Sequence, residues 1–195
     1  MQKHYKSPQA TTPTEVIRLA DFDFDGMIRS IPDYPSEGIV FKDITTLLKD
    51  PAGFAATIDE IADHFAGLGI TKVVGAEARG FMIAAPVAYK LHAGFVPARK
   101  PGKLPCETVS QAYALEYGTD SLEIHKDAIS DGDKVLVVDD IIATGGTAVA
   151  QVKMIERLGG EVVGLAFLQE LAFLNPRKEI ATATDAEVFS LVEVQ

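Results

Sequence analysis

The chain has 195 residues, 47% hydrophobic and 24% charged, the balance of a folded domain with a sizeable core. A formal net charge of −10 argues against broad binding to nucleic acid or an anionic membrane surface and leaves room only for a local basic pocket. The single Cys106 excludes an internal disulfide and fits a reducing, cytoplasmic setting, while no apolar run nears the roughly 20 residues of a membrane span and the first residues lack the basic-then-apolar pattern expected of a secretory signal. Residues 1–13 are polar and proline-punctuated, which predicts a mobile tail ahead of one domain over 14–195. Val16, Ile17, Leu19, Ala20, Met27 and Ile28 suggest a first helix. The stretch "SIPDYPSEGIVFKDIT" is turn-rich and leads into a short strand at Ile39-Val40-Phe41. Asp50-Pro51 then starts a helix, the aspartate as N-cap and the proline at the first position, with Phe54, Ile58, Ile61, Ala62 and Phe65 as its buried stripe.

Two strand-loop-helix units follow. The first, "KVVGAEARGFMIAAPVAYKLHAG", runs as a strand to Gly75, a loop, and a helix to about Leu91, with "FVPARK" as the next strand. The second is "KVLVVDDIIATGGTAVA" and the helix carrying Ala148, Val152, Ile155 and Leu158, closed by Gly159-Gly160, with "EVVGLAFLQE" after it. Strands alternating with helices predict an α/β fold with a mostly parallel sheet covered on both faces. Residues 102–129 interrupt the alternation as an inserted loop or hairpin.

The second unit carries the chemistry. Four apolar residues run into Asp139 and Asp140, and after Ile141, Ile142 and Ala143 comes Thr144-Gly145-Gly146-Thr147. In an open α/β sheet, ligands sit beyond the carboxyl ends of the strands. Glycines there let N–H groups turn toward an anion, and the helix that follows adds its positive end. Carboxylates repel phosphate but accept hydrogen bonds from sugar hydroxyls. A ribose 5-phosphate satisfies both demands. Neither a G-x-x-x-x-G-K-[ST] loop nor a G-x-G-x-x-G turn after a strand is present.

The string "VLVVDDIIATGGT" resembles the phosphoribosyl diphosphate (PRPP) motif of type I phosphoribosyltransferases. Together with "IRSIPDYPSEGIVFKDIT", "EARGF", "RKPGKLP" and "LEYGTDSLEIHKDAI", it makes the chain similar to the adenine-specific branch of that family from about Ile28 to Glu170-Leu171. The family commonly has arginine where this chain has Lys42. The resemblance implies the type I fold with a flexible hood loop, and purine salvage by transfer of 5-phosphoribose from PRPP to adenine, giving AMP and pyrophosphate. Mg²⁺ would be carried by PRPP, with no direct protein metal site, and the enzyme would be a homodimer.

The same resemblance assigns PRPP and AMP contacts to Asp139, Asp140, Ala143, Thr144, Gly145, Gly146 and Thr147, with Arg99, Lys100 and Lys103 on the pyrophosphate. Arg79 would grip pyrophosphate from a loop with a cis peptide at Glu77–Ala78. Residues 102–129 would be a mobile hood that excludes water and brings Glu116 and Tyr117 to the reacting centre, Glu116 handling the adenine N9 proton. Adenine would lie between Val40 and Leu171, with main-chain groups at Lys42 reading its amino group.

Each of these residues has a plainer reading: Arg79 as a surface arginine beside Glu77, Glu116 as an ion-pair partner of Lys103 or Lys126. His4, His64, His92 and His125 have no metal-ligand spacing. The alternatives are a hypoxanthine, guanine or xanthine transferase, and a PRPP-sensing regulator of transcription. The regulator would need a basic nucleic-acid-binding module, and no such segment is visible in the sequence.

Overall fold

A computed structural model describes residues 22–114 and 118–195. After a 3-10 turn at Asp25–Met27 come β1 (Arg29–Ile31) and β2 (Phe41–Asp43), which pair antiparallel as a small ribbon. Next are α1 (Thr45–Leu48), α2 (Pro51–His64), β3 (Lys72–Ala76), α3 (Gly80–Lys90) and β4 (Gly94–Ala98). The insertion forms a hairpin, β5 (Thr108–Ala114) and β6 (Thr119–His125). The chain returns through β7 (Lys134–Ile142), α4 (Gly146–Arg157), β8 (Glu161–Leu171), α5 (Pro176–Ile180) and β9 (Glu187–Val194).

The central sheet has the order β4-β3-β7-β8-β9, and all its neighbours run parallel. Strand residues alternate between two cores, as the period-two geometry of a strand requires. Val73, Leu136, Val138, Ala166 and Leu168 face the layer of α2 and α3. Val74, Val135, Val137, Leu165 and Phe167 face α4 and the hairpin residues Leu122 and Ile124. The expected sheet covered on both faces is what forms. Because every strand points the same way, Ala76, Ala98, Ile142 and Leu171 end at one edge.

The α2 start follows the sequence signal: the Asp50 side chain accepts from the N–H groups of Ala52 and Gly53, with Pro51 at the first position. Two early expectations fail. Met27 closes a 3-10 turn rather than a longer helix, because Asp23 Oδ1 accepts from Gly26 N at 2.9 Å and competes with helical bonding. Residues 14–20 of that expected helix lie outside the described residues, as does the expected tail. The strand read at Ile39-Val40-Phe41 starts only at Phe41, because Gly38 takes a left-handed φ of 85° and its N–H donates to Asp33 at 2.8 Å. Ile39 and Val40 are left exposed. The fifth strand, β9, was not anticipated, although its run "EVFSLVEV" is rich in β-formers.

Candidate active site

At the strand ends, β7 hands over to α4 through Ala143, Thr144 and Gly145. Gly145 sits at φ 91°, a left-handed conformation that favours glycine. The first helical bond at this end runs from Val149 N to Gly145 O. The N–H groups of Gly146, Thr147 and Ala148 therefore have no carbonyl within the helix to serve. They border a cavity of about 180 Å³ lined by Ala143, Thr144, Gly145, Gly146, Thr147 and Asp139. This is the geometry of an anion cup.

A second cavity of about 190 Å³ shares Asp139, Ile141 and Thr147 with the first and adds Glu77, Arg79, Lys100, Tyr113 and Asp140. Asp139 and Asp140 are both buried, and Asp140 N donates to Asp139 Oδ1 at 2.9 Å. Burial, with the Asp140 charge beside it, pushes the Asp139 pKa well above the usual carboxylate value. Burial also raises Asp140, partly offset by Arg79, whose Nε is 2.7 Å from Asp140 Oδ2. The close approach of α3 to this pair depends on Gly80, where a Cβ would stand 2.4 Å from Asp139 Oδ1.

Arg79 therefore does not sit beside Glu77 as a surface residue. Its guanidinium bonds Asp140 and lies 5.6 Å from the Phe41 ring, so it ties the β1–β2 ribbon to the acidic pair. Glu77 is engaged by Arg99 Nε at 2.7 Å and by Lys100 N at 2.7 Å. Burial works against the Glu77 carboxylate, but the hydrogen bonds from Lys100 and Arg99 outweigh it and hold its pKa down. Arg99 also donates to Lys103 O at 3.1 Å, so it braces the loop whose Glu77–Ala78 peptide is cis. Lys100 Nζ contacts Asp120 and donates to Tyr113 Oη at 3.0 Å. Lys103 lies exposed in the turn between β4 and β5.

The stem of the insertion is not free to move as a whole. Leu122, Ile124 and Ile129 are buried in the core, Arg99 bridges Glu123, and Arg157 donates to Ser110 O at 3.0 Å. Residues 102–129 as a whole are therefore not the free-moving unit expected from the sequence. Glu116 and Tyr117 fall between paired Ala114 and Thr119 and lie outside the described residues.

On the base side, Val40 is 57% exposed just before β2, adjacent to the Phe41 ring under Arg79. The Lys42 side chain turns toward Asp25, at 3.6 Å. Leu171 is half-buried at the end of β8, one residue past Glu170, which pairs with Ile142 beside the anion cup. Of this segment, it is Phe41, between Val40 and Lys42, that reaches the acidic pair, through Arg79. Sequence reasoning missed Phe41, Tyr113 and Asp120, and also the ion-pair network of Glu170 and Arg177. A larger cavity, about 470 Å³ between α2 and α3, is lined mainly by apolar residues such as Phe54, Ile58 and Pro86 and is far poorer in polar groups.

A model of the phosphoribosyl transferase domain matches residues 43–191. An adenine phosphoribosyltransferase from Koribacter versatilis (strain Ellin345) is 58% identical over 165 residues, 85% of this chain and 89% of that protein. The chain belongs to the adenine phosphoribosyltransferases. Solved structures agree with this placement. The adenine phosphoribosyltransferase of Thermoanaerobacter pseudethanolicus superposes with a TM-score of 0.84 at 50% identity, covering 90% of this chain and 99% of that one. The Saccharomyces cerevisiae adenine phosphoribosyltransferase, solved with D-2,5-dideoxy-2,5-imino-altritol 1,6-bisphosphate and adenine, gives 0.79 at 40% identity, covering 86% of this chain and 96% of that one. Adenine phosphoribosyltransferases are pentosyltransferases.

Proposed function

We propose that this adenine phosphoribosyltransferase converts adenine and PRPP to AMP and pyrophosphate at the edge formed by β3, β7 and α4. The observation that carries the reading is the pair of cavities meeting at Asp139, Ile141 and Thr147. One is walled by N–H groups at a helix start and suits the 5-phosphate. The other carries Arg79 and Lys100 and suits the diphosphate. The buried carboxylates between them suit ribose hydroxyls.

Cleavage of the bond from C1 to the diphosphate builds positive charge on the ribose and negative charge on the leaving group. Arg79 and Lys100 stand on the leaving-group side, held by Asp140 and Asp120 until substrate competes for them. Asp139 and Asp140 would orient the ribose, while Thr144 and Thr147 hydroxyls add donors at the phosphate. Glu116 would take the adenine N9 proton, with Tyr117 beside it and the hairpin keeping water from the reacting carbon. Val40 and Leu171 would hold the two faces of the base, and main-chain groups at Lys42 would read its amino group.

Mg²⁺ would arrive carried by PRPP with no direct protein ligand, and Asp139 and Asp140 would hold that complex by accepting from its ribose hydroxyls. Bound there, Mg²⁺ would neutralise charge on the leaving diphosphate. The exposed thiol of Cys106 suits work in the cytoplasm. Among the described residues no helix is long and apolar enough to cross a membrane. Residues 14–195 are one domain in this reading, supported among the described residues by two cores sharing one sheet, and the working unit is a homodimer. The test is direct: with adenine, PRPP and Mg²⁺, AMP and pyrophosphate should appear in equal amounts. No AMP from these substrates would refute the reading.

A further inference from the structure

The helix α5 stands between the two parts of the site. On one side it presses on the anion cup: a Cβ placed on Gly145 would lie 3.0 Å from Pro176 O and 3.1 Å from Glu179 Cβ. Gly145 has no side chain to hold α5 away from the cup. On the other side, Arg177 grips the end of β8. Its Nε donates to both Glu170 oxygens at 2.9 and 3.0 Å, and its Nη2 donates to Glu170 Oε2 at 2.7 Å and Glu193 Oε1 at 3.0 Å. Its Nη1 reaches Val188 O at 3.1 Å, and Ser190 Oγ donates to Glu170 Oε2 at 2.8 Å.

Glu170 is only 3% exposed, so its charge is affordable only with these partners. The chain from Glu170 to Arg177 is short and rigid in outline: Leu171, a 3-10 turn at Ala172–Leu174, Asn175 at φ 54°, then buried Pro176. The Arg177–Glu170 pair closes that loop on itself. Buried Ile180 pins the far end of α5 into the core below α4.

We propose that Arg177 is a positioning residue, which through α5 sets the distance between the phosphate cup at Gly145 and the β8 end at Leu171. This deepens the reading above and rests on it. A nucleotide binds tightly only when its phosphate and its base are engaged together, and a rigidly linked ligand loses that advantage when the two subsites drift apart. Arg177 touches neither subsite directly. Its part is to keep them at the spacing of one nucleoside monophosphate.

The experiment compares the affinities of AMP and ribose 5-phosphate by calorimetry in wild type and Arg177→Ala. Ribose 5-phosphate engages the cup alone and is indifferent to the spacing, whereas AMP needs both walls. Arg177→Ala should lower the ratio of AMP to ribose 5-phosphate affinity by about fivefold or more, the scale of a modest loss of linked binding. A smaller fall in that ratio, including a parallel loss of both ligands from general loosening, would overturn the proposal. Should Arg177→Ala not fold, Arg177→Lys carries the same comparison, because a lysine keeps the charge but cannot make the two-toothed grip. Wild-type protein that binds ribose 5-phosphate but not AMP would refute the proposed function of this edge instead, which separates the two failures.

Discussion

Asp139 combines burial, a neighbouring carboxylate and a place where the two cavities meet, and this combination sets opposite demands of stability and function. Its pKa in the folded chain lies well above the 3.8 of an ordinary aspartate, because burial and Asp140 disfavour its charge. Between those two values the folded state holds a proton that the unfolded state has released, so stability falls as pH rises through that window. Asparagine has no such proton to lose. Asp139→Asn should therefore raise the melting temperature above the raised pKa, and the gain should fade as pH falls toward the ordinary carboxylate value. Above the raised pKa, where the carboxylate is charged, the same change should weaken PRPP binding by about 1–3 kcal/mol for a charged hydrogen bond lost. Thermal melts across pH, paired with calorimetry, check both halves, and a variant less stable than wild type at neutral pH would contradict the burial argument. At this scale the acids and the glycine loop were legible from residue type and order alone. The partners of Arg79 were not, because Asp140 and Phe41 come from elements 61 and 38 residues away in the chain.

Among the elements, the start of α4 and the β5–β6 hairpin divide binding from chemistry. The N–H groups of Gly146 and Thr147 face the cup, and Gly146→Val would put a branched side chain where the phosphate must approach. That variant should lose PRPP affinity far more than adenine affinity, and unchanged PRPP binding in a folded variant would remove the cup from the account. The hairpin predicts the reverse pattern. Glu116→Gln should lower kcat by about 10²-fold or more with little change in KM, the scale of general acid–base assistance. Steady-state kinetics decide it: a kcat near wild type would strip Glu116 of that role. Helix and strand patterning revealed α2, α3, α4 and the strands β3, β4, β7 and β8, because each helix keeps an apolar face in a core and β3, β7 and β8 bury both of theirs. The ribbon β1–β2 was blurred by its turn residues, whose hydrogen bonds to Asp23 and Asp33 shift the boundaries. Hairpin packing was hidden as well, since Leu122 and Ile124 find their neighbours across the molecule rather than along the chain.

Over the whole molecule, the parallel sheet delivers an acidic pair, a helix start and two cations to one edge. The alternating strands and helices made that architecture readable from sequence, while β9 and the α5 network depend on contacts between distant segments that periodicity does not carry. The choice of base is the property that draws on every part. Adenine presents an amino donor at C6, whereas hypoxanthine and guanine present an oxygen that needs a donor. The β8 end offers Leu171, Ala172 and Phe173, which have no side-chain donor, and main-chain carbonyls near Lys42 would meet the amino group. Lys42 turns its side chain toward Asp25, which would leave any contact with the base to its backbone. Sites built around a substrate hydrogen bond reject mismatched analogues by a factor on the order of 10⁴. The measurement is kcat/KM for adenine, hypoxanthine and guanine at saturating PRPP and Mg²⁺, read as pyrophosphate release. The account predicts preference for adenine on that order, and comparable turnover of either 6-oxopurine would contradict it.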